Sequence, residues 1–162
     1  MKKHVEEYIE KFNQRDVSVE YKCVNALQHT PWRVNSFVCD VLRTAWNSGQ
    51  QWQGLPPRDN APVPPYPFAV DPKFLREDQK AEFKEFKSKR NKIYTENARN
   101  LSRRIQVERT IQLAEEYLAH DDFWFVWQLD FRGRKYPVES FLSPQNADYS
   151  KALLEFSQSV TM

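Results

Sequence analysis

The chain has 162 residues, 40% hydrophobic and 28% charged, with a formal net charge of +2 and a mean hydropathy of −0.79. Length and apolar share suit one domain, or one domain with part of another, whose charge is carried on long helices that face water. No stretch approaches the roughly 20 apolar residues of a membrane span, and Cys23, Cys39, His4, His29 and His120 have no metal-ligand spacing, so neither a transmembrane bundle nor a disulfide or zinc scaffold is expected.

Met1–Glu7 carries positive charges with no apolar run behind them and does not read as a signal peptide. A soluble intracellular chain is expected. Val5, Tyr8, Ile9 and Phe12 mark one stripe of a short helix, and Val17, Tyr21, Val24 and Leu27 continue the period after Asp16, a candidate cap. Thr30-Pro31 predicts a helix start, with Thr as N-cap and Pro at the first position. Val34, Phe37, Val38, Val41, Leu42 and Ala45 give that helix its apolar face, and Gly49 its stop.

Between Gly54 and Pro72 lie seven of the ten prolines. They remove donors and fix φ, which predicts a stiff, partly extended spacer with neither helix nor central strand. From Lys73 to Leu118 there is no Gly or Pro, so a helix of about 70 Å is expected, with a bend. Its core stripe is predicted as Ala98, Leu101, Ile105, Ile111, Ala114 and Leu118. Lys80–Arg109 carries ten Lys or Arg against four Glu. Lys89, Lys92, Glu96, Arg99 and Arg103 fall at spacings of 3 and 4, which gathers part of that charge on one helix face. Two readings stay open for it: a footprint for phosphate, or a solvated face.

Phe123–Trp127 is a continuous aromatic and β-branched run, predicted to be a strand buried on both faces. Asp130-Phe131-Arg132-Gly133-Arg134 follows, then a second extended run from Lys135 to Val138, and a helix opened by Asp148 that presents Tyr149, Leu153 and Phe156. Two arginines after a rigid strand supply planar, permanently charged forks for phosphate, and Asp130 is placed to orient one of them. A charged surface turn is the alternative reading. A hairpin and one helix cannot cover such a strand, so the chain reads as cut before its closing elements.

Asp130-x-Arg132-Gly133-Arg134-x-Tyr136 resembles the D-x-R-G-R-x-Y segment of single-subunit, bacteriophage-type RNA polymerases, a family that includes the mitochondrial enzyme. Trp124-Phe125, the Ser143-Pro144-Gln145 turn, Asp148 and Lys151–Phe156 resemble the segments around it. Upstream, Leu101-Ser102-Arg103-Arg104-Ile105 and Thr30-Pro31-Trp32-Arg33-Val34-Asn35 resemble the family's Ser-Arg-Arg-Ile and N-T-x-W-[KR]-[IV]-N runs. The likeness covers roughly residues 20 to 158, with the segments in order.

The resemblance implies a mainly α chain: a helical, thumb-like region with long helices, then a short β-hairpin and helix that begin an α/β palm. The expected parts are 1–53 flanking the thumb, 54–72 as Pro-rich linker, 73–120 as long basic thumb-like helix or helices, and 121–162 as the truncated start of the palm. It implies a segment of a DNA-directed RNA polymerase, a nucleotidyltransferase, that holds template DNA and the RNA–DNA hybrid. Arg132, Arg134, Arg103, Arg104, Arg99, Lys92 and Gln145 would meet nucleic acid, with Asp130, Gly133 and Tyr136 orienting the motif. The family's metal-binding aspartates, nucleotide-binding lysine and ribose-selecting tyrosine lie beyond the matched region. The chain alone is therefore expected to be inactive, with no catalytic residue, metal ligand or cofactor of its own, and magnesium is expected for the full enzyme. Expected partners are template, hybrid and the remainder of a split or full-length polymerase, with no membrane. The expected setting is the cytoplasm of an infected host, with an organelle as alternative. A standalone polymerase-derived nucleic-acid-binding module and a helical interaction protein are the competing readings.

Overall fold

The computed structural model describes residues 3–13, 16–49, 52, 54–130 and 132–158. Helices dominate: α1 (Lys3–Asn13), α2 (Ser18–Gln28), α3 (Ser36–Ser48), the 41-residue α4 (Glu77–Tyr117) and a short α5 (Asp148–Ala152). Four three-residue strands join them as two antiparallel pairs: β1 (Trp32–Val34) with β4 (Leu154–Phe156), and β2 (Trp127–Leu129) with β3 (Lys135–Pro137). The mainly α class holds, and so does the hairpin after the long helix.

Thr30-Pro31 does not open a helix. The Thr30 hydroxyl donates to Ala26 O (3.0 Å) and closes α2 instead. Trp32, Arg33 and Val34, aromatic and β-branched at two positions out of three, run extended against Phe156, Glu155 and Leu154. α3 begins only after Asn35, whose Oδ1 accepts from Val38 N–H (3.0 Å). Its end is as expected: Gly49 caps it in the left-handed region at φ 69°. Asp16 accepts from Ser18 N–H (2.9 Å) at the start of α2.

The β1–β4 pair ties the N-terminal third of the chain to residues near its end. Arg33 Nε meets Glu155 Oε1 at 2.6 Å, Asn35 Nδ2 donates to Glu155 Oε2 (2.9 Å), and Asn35 N–H donates to Leu153 O (2.9 Å). Phe156 therefore lies on a strand, exposed, rather than on the helix of Tyr149. α5 stops at Ala152 because the following residues are drawn to β1.

The main core forms where α3 and β1 pack on the C-terminal third of α4. Val34, Cys39, Leu42 and Trp46 meet Val107, Ile111 and Ala114 there, sealed by Leu142 and Leu153. A second cluster joins Val24 of α2 to Phe125 and Trp127, with Trp32 packed against it. Trp32 contacts Phe125 edge-on and Phe156 at 4.5 Å between centroids.

Two burial patterns differ from expectation. The run 123–127 alternates: Phe125 and Trp127 are buried, while Trp124 and Val126 are 55% and 63% exposed. Phe125 and Trp127 pack toward Val24 of α2, whereas Trp124 and Val126 on the other face stay open among the described residues. On α4, Ile111 and Ala114 are buried as predicted, but Ala98, Leu101, Ile105 and Leu118 are exposed. The buried face runs instead through Asn97, Asn100, Val107 and Thr110. Asn97 and Thr110 occupy it because their partners, Ala61 and Phe141, lie on irregular backbone that needs hydrogen bonds. α4 itself runs uninterrupted for about 60 Å.

The Pro-rich segment lies along α4. Ala61 pairs both its backbone groups with one side chain: Asn97 Oδ1 accepts from Ala61 N–H (2.8 Å) and Asn97 Nδ2 donates to Ala61 O (2.9 Å). Arg104 donates to Pro57 O (3.0 Å) and Asn60 Oδ1 (2.7 Å). Arg58 stacks 4.2 Å from the Trp46 ring and approaches Glu108. Farther out, Tyr66 and Phe68 pack edge-on against Phe83 and Phe86 of α4.

Candidate nucleic-acid interface

The D-x-R-G-R segment is the loop of the β2–β3 hairpin. Gly133 N–H donates to Asp130 O (2.9 Å) and Asp130 N–H to Arg134 O (3.0 Å). Gly133 sits at φ 77°, and a Cβ built there meets nothing within 4 Å. Backbone conformation alone, not crowding, is the reason for glycine. Phe131 lies outside the described residues.

Asp130 organises the loop. Its Oδ1 accepts from Arg132 N–H (2.8 Å) and Arg134 N–H (2.9 Å), and its Oδ2 accepts from Arg134 Nε (2.6 Å). Partial loss of water pushes this carboxyl's pKa up. The hydrogen bonds from Arg134 and Arg132 and the Arg134 charge outweigh that, and the net shift is downward. The same contact raises the Arg134 guanidinium, which lies 5.7 Å from the Tyr136 ring centroid. Asp130 thus binds Arg134 and the backbone at Arg132, and the Tyr136 ring lies beside the same guanidinium.

Gln145 stands beside the hairpin. Its Nε2 donates to Lys135 O (3.0 Å) and its N–H to Ser143 Oγ (3.2 Å). The neighbouring Asn146 fastens this loop to α4: Gln106 Nε2 donates to Asn146 Oδ1 (3.1 Å), while Asn146 Nδ2 donates to Ser140 O (2.7 Å) and Phe141 O (2.8 Å). The Thr110 hydroxyl lies 3.1 Å from Phe141 O.

On α4, Lys89, Lys92, Glu96, Arg99 and Arg103 are all exposed. Arg99 leans on Glu96 at 3.4 Å. A shallow groove beside them is lined by Lys84, Lys87, Asn91, Lys92 and Thr95. The 3-and-4 spacing carries this stripe on to Gln106 and Thr110, which lie under the loop of Gln145. Arg103 is near enough to Tyr149 for its charge to lower that phenol's pKa, although burial dominates and the net shift is upward.

Basic stripe, Gln145 loop and hairpin are therefore joined by direct contacts. Arg104 is apart from them: its guanidinium holds the Pro-rich segment on another face of α4. Gln106, Thr110 and Asn146, which link stripe to loop, were missed in the sequence because none is charged or part of a motif.

Among the described residues no group of three or more His, Cys, Asp or Glu is placed to hold a metal ion. Asp130 is already engaged by two N–H groups and a guanidinium, so these residues do not fit the magnesium expected for the family enzyme.

No family model matches the chain. Curated relatives do. It is 28% identical over 156 residues, 96% of its length, to a protein named DNA-directed RNA polymerase 1B, mitochondrial, of Nicotiana tabacum. It is 32% identical over 141 residues, 85% of its length, to the mitochondrial DNA-directed RNA polymerase of Schizosaccharomyces pombe. It is 29% identical over 138 residues to the chloroplastic DNA-directed RNA polymerase 3B of N. tabacum. The chain spans 15%, 11% and 13% of those proteins, respectively. Over most of its length, then, this chain is a homologue of one segment of the single-subunit DNA-directed RNA polymerases of mitochondria and chloroplasts.

Proposed function

We propose that the chain is the part of a DNA-directed RNA polymerase that grips the backbone of template DNA and the RNA–DNA hybrid, and that by itself it is not catalytic. The observation that carries the reading is the contact path from the α4 stripe through Gln106, Asn146 and Gln145 to the hairpin. It connects the helix that carries Arg99 and Arg103 to the hairpin that carries Arg132 and Arg134, with Lys92 about two turns beyond Arg99 on the same stripe. Such cations bind phosphate without regard to sequence, so they position nucleic acid rather than select it. Arg104 is assigned to the Pro-rich segment instead.

The remainder of a polymerase, in the same or another chain, is the proposed protein partner. Two observations favour it: the small share of each relative that the chain spans, and the unpartnered hairpin face carrying Trp124, Val126 and Val138. Magnesium-dependent nucleotidyl transfer belongs, in this reading, to that remainder. The relatives' names favour an organellar setting over an infected-cell cytoplasm. No helix among the described residues is long and apolar enough to cross a membrane.

The test is fluorescence anisotropy with a labelled RNA–DNA hybrid across a salt series. Binding should weaken steeply with salt, and the triple variant Lys92→Ala, Arg99→Ala, Arg103→Ala should flatten the slope by up to about three units. Salt-independent binding, or a slope unchanged in that variant, would refute the reading. Template-dependent incorporation of ribonucleotides by the highly purified chain would refute the non-catalytic assignment.

A further inference from the structure

All six buried residues of α4 lie from Asn97 onward. The preceding twenty residues, Glu77 to Glu96, carry all five of the helix's lysines and include none of its buried residues. Most helical stability in proteins comes from packing one face on a partner rather than from propensity, so this stretch depends on whatever else lies against it. What does touch it is the Pro-rich segment. Tyr66 packs against Phe83 and Phe86, and Phe68 against Phe83.

The segment is attached at three levels in antiparallel order: Pro57 and Asn60 at Arg104, Ala61 at Asn97, and Tyr66 at Phe86. The lengths agree. Nine steps of extended chain from residue 57 to 66 cover about 28 Å at ~3.1 Å each. Eighteen helical steps from residue 104 back to 86 cover about 27 Å at ~1.5 Å each. Proline also suits the task, because Pro62, Pro64, Pro65 and Pro67 stiffen the segment and leave few amides needing partners.

We propose that residues 56–68 act as a splint that keeps the N-terminal half of α4 helical and straight, with Asn97 as its central latch. Asn97 occupies both backbone groups of Ala61 at once, as a second peptide unit would. It sits at the boundary between the supported and unsupported halves of the helix. Its face of α4 is turned by about 100° or more from that of Lys92, Arg99 and Arg103. The splint therefore braces the helix without covering the stripe. Asn97 and Tyr66 are positioning residues: they act on the spacing of cations they do not touch.

Hydrogen exchange on the full chain tests this, comparing wild type with Asn97→Ala and, separately, Tyr66→Ala. Each variant should speed exchange at least about tenfold in residues 80–96 while leaving 105–117, within the core, unchanged. Unchanged exchange at 80–96 in both variants would mean that the helix stands alone, and would overturn the proposal. So would equal acceleration throughout α4, which would make these residues general stabilisers. The consequence for binding rests on the nucleic-acid reading above. Asn97→Ala removes no charge, so it should weaken hybrid binding severalfold at an unchanged salt slope. If wild type does not bind the hybrid at all, the nucleic-acid reading fails, and exchange still decides the splint.

Discussion

Ile105→Ala and Ile111→Ala make the same chemical change six residues apart on one helix, and the structure gives them different costs. Ile111 is 7% exposed and belongs to the cluster of Val107, Ala114, Cys39, Leu42 and Trp46. Removing three buried carbons loses about 2.4 kcal/mol of transfer free energy at ~0.8 per carbon. The cavity left behind brings the expected loss to about 3–4 kcal/mol. Ile105 is 48% exposed, so roughly half the transfer contribution is already absent. The better helix propensity of alanine offsets a few tenths more, and a loss of about 1 kcal/mol or less remains. At about 2–4 °C per kcal/mol for a chain of this size, Ile111→Ala should lower Tm by about 6–16 °C and Ile105→Ala by no more than about 4 °C. Thermal melts by circular dichroism, repeated at two scan rates to check reversibility, measure both. Equal losses, or a larger loss at Ile105, would mean that the buried face of α4 is the one read from apolar spacing and not the one through Asn97, Val107 and Thr110.

The hairpin and the thiols supply three more tests. Arg134→Ala should leave Tm nearly unchanged, since its ion pair is solvent-facing, yet weaken hybrid binding about tenfold or more; a melting transition that collapses while affinity per folded molecule persists would make the arginine structural. The Asp130 carboxyl is held below its ordinary value, so its contribution to loop order is complete above the ordinary aspartate pKa of about 3.9 and fades as pH falls through the lower folded value. The Gly133 and Arg134 amide resonances should therefore titrate with a midpoint below 3.9, and a midpoint above it would contradict the contacts drawn at Asp130. Cys39 is buried, and its thiol is pushed up by that burial and by Glu115, whereas Cys23 is exposed; a thiol reagent should modify Cys23 quickly and Cys39 only at the rate of unfolding, and two fast thiols would place α3 wrongly.

The features that could be read from sequence alone were those set by local chemistry. Gly49 ends α3 because a left-handed position wants glycine, and a stretch with neither Gly nor Pro is one helix. Asp130 and Gly133 mark a hairpin loop whatever surrounds it. Local chemistry misleads where a distant partner decides. Thr30-Pro31 has the composition of a helix start, but Leu154–Phe156, more than a hundred residues away, draws Trp32–Val34 into a strand. The run from Phe123 to Trp127 reads as buried on both sides because no local signal says that only one side has a neighbour. Apolar periodicity misplaces the α4 core stripe because Asn97 and Arg104 turn toward the Pro-rich segment and Thr110 toward Phe141 O, each to bind irregular backbone, and polar residues carry no apolar signal. The basic stripe is legible in its spacing. Its continuation under the Gln145 loop rests on the uncharged Gln106 and Thr110 and leaves no such mark.

The 1:2 correspondence between extended chain and helix limits how this part of the molecule can vary in length. One splint residue advances about as far as two helical residues. An insertion of four residues in α4 between Phe86 and Asn97 would displace the outer aromatic contacts by about 6 Å, and also rotate them. Two residues added between Ala61 and Tyr66 would restore the reach, and a helix change near a multiple of seven would restore the facing as well. Related chains with a longer or shorter arm should therefore carry coupled changes in both segments, with the helix gaining or losing about twice as many residues as the proline-rich run beside it.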